Sequence, residues 1–262
     1  MTDTCLAVSG LSISLDGKAV LKNVAFNVNR GEWISITGRN GAGKSTLLKC
    51  LMRILKMETG DVVLNGNPIA LISQRSLARQ VAYVPQATGR FSPFTVFEHV
   101  MLARYPHLRP FAAPSRRDRD IVMHNLAEAG LSELADRTVS TLSGGERQKV
   151  YLAQAFAQGA DVLLLDEPNT FLDPKCAAEV LHLLKVANQD RGTTILSVTH
   201  DINSAAVISD RIMALKSGEV VFMGAPFEFM APPVLSDVFS ASFSFVSHPE
   251  TGMPLVLPWR AS

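Results

Sequence analysis

The chain has 262 residues, 47% hydrophobic and 19% charged. That is the balance of a folded globular protein, long enough for one large domain or a domain with a subdomain. Lys and Arg total 25 against 24 Asp and Glu, so no net field recruits nucleic acid or anionic lipid.

The N-terminal "MTDTCLAVSG" has an acid where a secretory signal carries bases, and the longest aliphatic run, "VLLL" at 162–165, is far below the ~18 residues of a spanning helix. A cytosolic protein is expected. Cys5, Cys50 and Cys176 are isolated, without the paired spacing of a zinc site or a disulfide framework. In chain order, "LAVSGLSISL" and "NVAFNVNRG" alternate apolar and polar residues and read as half-buried antiparallel strands. "EWISITG" is a more continuously apolar strand that runs into a glycine turn, followed by the helix "KSTLLKCLMRIL" and the turn "METG". "QVAYVPQ" is a short strand stopped by Pro85.

From about Ala87 to Gly159 helical patterns replace strand patterns, as in "SRRDRDIVMHNLAEAGL", where Ser115 and Asp118 form a capping box. The bases of "SRRDRD" alternate with acids, which marks a solvated helix start rather than a nucleic-acid patch. Then come the strand "ADVLLLDEP", the helix "DPKCAAEVLHLLKVANQD", the strand "TTILSVTH" and a hairpin "RIMALKSGEVVFMG" that turns at Ser217-Gly218. Strand–helix alternation implies an α/β fold with a mainly parallel, buried sheet. The expected organisation is a core over 1–88 and 160–225, a helical subdomain over 89–159, and a less regular tail over 226–262 packed on the core.

Gly38, Gly43, Lys44 and Ser45 fit the phosphate-loop pattern G-x-x-x-x-G-K-[ST], between an apolar strand and a helix as the mechanism needs. Glycines let backbone N–H groups curl around phosphate oxygens, and the helix N-terminus adds positive potential. Lys44 is expected on the β/γ-phosphates and the Ser45 hydroxyl on Mg²⁺. From average composition the pattern arises by accident in on the order of one chain in a hundred of this length, before the strand–helix context is required.

Asp166 and Glu167 follow the strand "VLLLDEP" at its carboxyl end, the usual ligand edge of an open α/β sheet. Neighbouring strand residues point opposite ways, so one acid can serve the metal and the other the attacking water. Alone, such a pair is more often a turn or a helix cap. His200 closes "TTILSVTH" and is placed to meet a γ-phosphate. His99, His107, His124, His182 and His248 lack that placement and read as surface or packing residues. Gln86, after "VAYVP", has no signal of its own.

A second glycine turn, "LSGGE" at 142–146, has no lysine. Ser143 and Glu146 make a capping box, which leaves Gly144 and Gly145 unexplained, because glycine in a helix costs up to about 1 kcal/mol relative to alanine. Bare backbone at a helix start suits an anion, so the turn reads as half of a phosphate site completed elsewhere.

The ordered set "GRNGAGKST", "YVPQ", "LSGGERQ", "VLLLDEP", "FLD" and "VTH" closely resembles the ATP-binding cassette (ABC) ATPases over essentially the whole chain. The resemblance implies a P-loop NTPase (RecA-like) core with a mainly parallel sheet, an N-terminal antiparallel β region and an inserted α-helical subdomain, with 1–225 as the ATPase domain. It implies a head-to-tail homodimer sandwiching two ATP molecules with Mg²⁺. On it, Gly38, Asn40, Gly41, Ala42, Gly43, Lys44, Ser45 and Thr46 hold the chain's own nucleotide. Ser143, Gly144 and Gly145 contact the partner's nucleotide, and Asp173 joins the two sites. Ser45, Gln86 and Asp166 attend to Mg²⁺, Glu167 polarises the attacking water, and His200 binds the γ-phosphate. Gln86 also couples nucleotide to the helical insertion. Two departures stand out. Leu15 occupies the place of an adenine-stacking aromatic, which implies weaker ATP affinity or poorer base discrimination unless the slot is filled elsewhere or Leu15 is simply a buried strand residue. Asn169 stands where Thr commonly follows, with little consequence expected.

"FTVFEHVMLARYPHL" at 94–108 and the tail "VSHPETGMPLVLP" resemble cassettes of the iron-siderophore, haem and cobalamin importers, with Ala103 where that subfamily commonly has Gly. On residues alone the first tract is a proline-broken loop between two helices. The resemblance makes residues around 90–110 the face that docks a membrane subunit. The implied assembly is a homodimer on two membrane-spanning permease subunits, at the cytoplasmic face of the inner membrane, with a separate substrate-binding protein and no nucleic acid. The alternatives are an ABC ATPase of another transporter class, a soluble non-transport cassette, and a nucleotide kinase or GTPase sharing only the phosphate loop.

Overall fold

The alternating pattern of the first thirty residues produces β1 (Thr4–Leu15) and β2 (Lys18–Asn29), paired antiparallel with Val8 opposite Phe26. The computed structural model describes residues 3–86, 92–249 and 252–257. After β2 come β3 (Trp33–Thr37), α1 (Lys44–Leu51), β4 (Thr59–Leu64), β5 (Asn67–Pro68), α2 (Gln74–Gln80) and β6 (Val81–Val84). A helical stretch follows, with α3 (Val96–Met101), a 3-10 turn over Leu102–His107, α4 (Arg116–Glu128) and α5 (Gly144–Gln158). Then β7 (Val162–Asp166), α6 (Pro174–Gln189), β8 (Thr194–Val198), α7 (Ile202–Ile208), β9 (Arg211–Lys216) and β10 (Glu219–Gly224) alternate. The tail holds α8 (Pro226–Phe229), α9 (Pro232–Phe239), β11 (Phe245–Ser247) and β12 (Pro254–Val256). The chain divides into two compact units, Met1–Leu71 with Ile195–Ser262, and Ile72–Thr194. The expected boundary at 88/89 lies outside the described residues, as do parts of "VSHPETGMPLVLP" and the first residues of the 90–110 tract.

In the first unit, β2-β1-β4-β5 form an antiparallel sheet. A second sheet runs β10-β9-β3-β8, with β3 parallel to β8 (Ile34 opposite Leu196) and to β9 (Ile36 opposite Met213). All five residues of β3 are buried, which is why its sequence runs apolar without alternation. Part of its polar interior is satisfied within the fold: Trp33 Nε1 donates to Ser197 Oγ at 3.0 Å, and Ser209 Oγ to Ser35 Oγ at 2.6 Å, while the buried Thr37 hydroxyl has no hydrogen-bond partner among the described residues. The tail packs Phe229, Met230, Leu235 and Val238 against Ala205, Ala206, Ile212 and Ala214.

In the second unit β6 and β7 pair in parallel, Val81 opposite Val162, and β7 is buried throughout. Burying each of Leu163, Leu164 and Leu165 is worth about 1.5–3 kcal/mol. The helices share their own core of Val96, Val100, Val122, Leu126, Val150 and Ala153. Within the described part of 92–159 no strand occurs; Thr95 and Thr138 alone form an isolated bridge. The expected α/β fold, with a mainly parallel sheet, an antiparallel N-terminal region and a helical stretch, is what the chain forms.

Local differences have local causes. α1 ends at Leu51, four residues before the expected end, because Arg53 adopts φ 56 and breaks the helix. β4 escapes the sequence reading because it is half exposed, with Val62 and Leu64 as its only fully buried residues. The short helices α2 and α7 were too brief to show a 3.6-residue period.

Candidate nucleotide site

β3 delivers the chain into the loop 38–43, whose glycines are forced by geometry. Gly38 has φ 133, and a Cβ there would lie 2.1 Å from the Leu215 carbonyl oxygen. Gly43 has φ 103, and its Cβ would lie 2.6 Å from Leu21 Cδ2. Gly41, at φ 79, meets nothing within 4 Å. Gly43 caps α1 without a side chain, and α1 has no acid in its first turn, so the positive helix end stays available to an anion. Asn40 and Gly41 are exposed, Ala42 is buried, and Ser45 and Thr46 are half-buried at the helix start. Lys44 is buried, and its Nζ donates to the Gly38 carbonyl at 2.8 Å and the Arg39 carbonyl at 3.1 Å. The loop therefore folds a cation back over its own hollow, where phosphate oxygens can compete for it.

His200 lies two residues beyond β8 rather than ending it, exposed between the strand and the cap of α7. Leu15 is 36% exposed at the end of β1, so the buried-strand alternative for it is incorrect. Its strand ends at the Asp16-Gly17 turn, which leaves the side chain at the rim.

In the second unit, Asp166 ends β7 and is 3% exposed. Tyr83, on the adjacent β6, donates its hydroxyl to Asp166 Oδ2 at 3.3 Å. Burial first, then the charge and hydrogen bond of Asp166, raise the Tyr83 pKa well above the ordinary phenol value, so it stays a donor. Glu167 takes a left-handed backbone, φ 54, an uncommon state for a non-glycine residue. Its Oε2 accepts from Gln86 Nε2 at 2.9 Å and from Thr170 Oγ1 at 3.0 Å. Gln86 and Glu167 are thus brought together, 81 residues apart in sequence. Thr170 and Tyr83 are the residues sequence reasoning missed. Thr170's only signal is its place three residues after Glu167, while Tyr83's is its register beside β7.

The second turn is built as expected. Ser143 Oγ accepts from the Glu146 N–H at 3.3 Å, and Glu146 Oε2 from the Ser143 N–H at 2.8 Å. The Ser143 backbone N–H, then its hydroxyl, hold the Glu146 carboxyl below the usual range. Gly144 is exposed and helical, and a Cβ there would meet nothing within 4 Å. Neither conformation nor intramolecular space asks for glycine at 144. Asp173 caps α6, accepting from the Cys176 N–H at 3.0 Å, and that bond first of all lowers its pKa.

The 102–107 turn is fastened to the far end of α5. Arg104, buried and paired with Asp118 at 3.0 Å, also donates to the Ala157 carbonyl at 2.7 Å. His107 Nε2 donates to the Gln158 carbonyl at 2.8 Å. Basic side chains on the last carbonyls of a helix complement its dipole. Tyr105, by contrast, is 75% exposed and Leu102 50% exposed. His99 is half-buried with its ring tilted on Tyr151 at 5.5 Å, a packing residue as expected.

A family model described as ABC transporter matches residues 21–170. The iron(3+)-hydroxamate import ATP-binding protein FhuC of Bacillus subtilis is 39% identical over 254 residues, 97% of this chain and 94% of that protein. Among solved structures, a chain of a transporter described as metal-chelate type, in an inward-facing conformation, superposes with TM-score 0.85 at 26% identity over 98% of both chains. A dimeric ATP-binding cassette in a post-hydrolysis state with ADP and phosphate gives TM-score 0.74 at 29% identity, over 84% of this chain and 98% of that one. The phosphate-loop pattern, a buried Asp followed by a tethered Glu, and a Gly144 that neither conformation nor crowding explains agree with those matches: the chain belongs to the ABC transporter family of ATPases.

Proposed function

We propose that the chain is the ATP-hydrolysing subunit of an importer that takes up an iron chelate or a similar metal-containing cargo through a membrane permease. The observation that carries this reading is the 39% identity to an iron-hydroxamate import ATPase along 97% of the chain. No helix among the described residues is long and apolar enough to cross a membrane. The chain then works as a homodimer, peripheral on the cytoplasmic face of the inner membrane, on two permease subunits served by a substrate-binding protein.

The residue roles follow the resemblance. Gly38, Asn40, Gly41, Ala42, Gly43, Lys44, Ser45 and Thr46 hold ATP phosphates. Ser143, Gly144 and Gly145 serve the partner's nucleotide, and Asp173 links the two sites. By the same resemblance Mg²⁺ would be held by the Ser45 hydroxyl, the Asp166 carboxylate and the Gln86 amide oxygen, each a hard oxygen donor of the kind that ion takes. Bound there, Mg²⁺ would supply charge neutralisation to the phosphates. Glu167 orients and polarises the attacking water, and His200 contacts the γ-phosphate. The tethers from Gln86 and Thr170 fix where the Glu167 carboxylate points, and Tyr83 fixes Asp166. On the docking face, Tyr105 and Leu102 are the outward residues, while Arg104 and His107 hold the turn in place.

An affinity pull-down of tagged protein from detergent-solubilised membranes, read by mass spectrometry, tests the assignment. A stoichiometric polytopic subunit whose gene neighbour encodes a metal-chelate binding protein is the expected result. Recovery with soluble partners alone would move the chain to the non-transport cassettes.

A further inference from the structure

The two glycines of the 143–146 turn are bare for different reasons. Neither has positive φ, so alanine is conformationally allowed at both. Gly144 is exposed with open space around it. Gly145 is buried, and a Cβ on it would lie 2.4 Å from Cys176 Sγ and 2.9 Å from Cys176 Cβ, distances real side chains do not adopt. The glycine at 145 is therefore demanded by Cys176, from inside the chain. Cys176 sits in the first turn of α6, and its N–H holds the capping carboxylate of Asp173 at 3.0 Å. One turn further along both helices, Lys149 Nζ meets Glu179 Oε2 at 2.9 Å and lowers the Glu179 pKa. The starts of α5 and α6 are thus joined by a close side-chain contact and, below it, an ion pair.

We propose that Cys176 is a positioning residue for ATP hydrolysis: it fills the space opposite Gly145 and fixes the separation of the 143–146 turn from the Asp173 turn. The inference rests on the reading that both turns serve the partner's nucleotide. A cysteine at 176, half-buried in the first turn of α6, is small enough to let that helix approach the glycine closely. Any larger side chain pushes the two turns apart. The effect belongs to hydrolysis rather than to nucleotide capture, because the chain's own phosphate loop is built from separate residues.

The test is a cycle of variants of the full-length protein. Each is measured for ATP turnover, for affinity toward a fluorescent ATP analogue, and for thermal melting. A misplacement of ~1 Å in a reacting site costs on the order of 10²-fold, so Gly145→Ala is expected to lower kcat roughly tenfold or more. Adding Cys176→Gly to that variant removes both atoms the new methyl meets, and most of the lost rate should return. Gly144→Ala is also expected to lower kcat, without recovery when Cys176→Gly is added. Cys176→Leu leaves both glycines bare yet is expected to lower kcat about tenfold, while Cys176→Ser stays within about twofold of wild type. Nucleotide affinity should hold within about twofold throughout, a split that general destabilisation would not give. Should Gly145→Ala fail to fold, Cys176→Leu carries the test from the other side of the contact. Wild-type turnover in Cys176→Leu, or a Gly145→Ala defect equally deep with and without Cys176→Gly, would overturn the proposal. Failure of the underlying reading looks different: Gly144→Ala would turn over ATP normally, and a Glu167→Gln chain would form no ATP-dependent dimer.

Discussion

The two glycine turns look alike in sequence and differ in what they ask of glycine. In the 38–43 loop the need is internal: Gly38, Gly41 and Gly43 all have positive φ, and two of them pass so near Leu215 or Leu21 that no Cβ fits. In the 143–146 turn the backbone is helical, and Gly144 has neither strain nor crowding to justify it. A glycine that destabilises its helix and gains nothing inside the chain points to something outside it. The first turn carries its own lysine, folded over the hollow; the second has only the capping box of Ser143 and Glu146. On the proposed reading the first turn grips phosphate by itself and the second supplies half of such a grip.

The largest effect expected stops the chemistry while leaving both turns intact. Glu167→Gln should cut ATP turnover by about 10²–10⁴-fold, the usual contribution of a general base, with nucleotide binding retained. An ATP-dependent dimer should then accumulate on size-exclusion chromatography, an assay in which either turn can be broken separately. Wild-type turnover would remove Glu167 from the reaction. Gly38→Ala breaks the first turn from within. Left-handed strain costs about 1–3 kcal/mol before the overlap with the Leu215 carbonyl is added, so melting should fall by several degrees and nucleotide binding should be lost. Gly144→Ala sharpens the contrast. Alanine is better than glycine in a helix by up to about 1 kcal/mol, so melting should hold or rise by about 2–4 °C while turnover drops. A loss of stability there would mean that Gly144, like Gly145, is glycine for internal reasons.

That contrast marks how far the sequence could be read. Motif order carried the family, the phosphate loop and the Asp166-Glu167 pair, because those signals are local and fixed in spacing. The capping boxes at Ser115 and Ser143 were legible for the same reason, each being a bond across three residues. What stayed hidden were contacts between distant segments. Cys176 opposite Gly145, Tyr83 beside Asp166 and Leu215 over Gly38 depend on how helices and strands meet, which no period or motif encodes. Leu15 was hidden by its place at a strand end, where alternation no longer predicts burial. The "ARYPH" tract was half legible: its residues looked like one docking motif, and the fold splits them into outward Tyr105 and inward Arg104 and His107.

The same split gives a smaller prediction about the two ends of α5. Replacing Tyr105 and Leu102 together by Ser should weaken recovery of the membrane partner in the pull-down, with melting within about ±0.5 kcal/mol of wild type, as for other exposed sites. His107→Ala should do the reverse, costing about 1 kcal/mol of stability through the lost bond to the Gln158 carbonyl. Equal effects of the two changes on partner recovery would return the whole tract to the docking face.

The faintest effect is the pH dependence of that fastened end. Burial first of all lowers the pKa of His107, with the nearby charges of Arg104 and Arg79 adding to it against the Gln158 carbonyl and Asp118. Burial likewise lowers that of His99, against a smaller opposing contribution from the Gln154 side chain. The unfolded chain therefore takes up protons first as pH falls below about 6.5, and the folded chain later. Stability contributed by the two neutral imidazoles is present above that value and is lost as pH drops toward the lowered native pKa values. Melting followed from pH 7.5 to pH 5 should fall, and the slope should be shallower in His107→Gln and in His99→Gln. A slope unchanged in both variants would assign the pH dependence to other groups and leave His107 as a plain hydrogen-bond donor to the helix end.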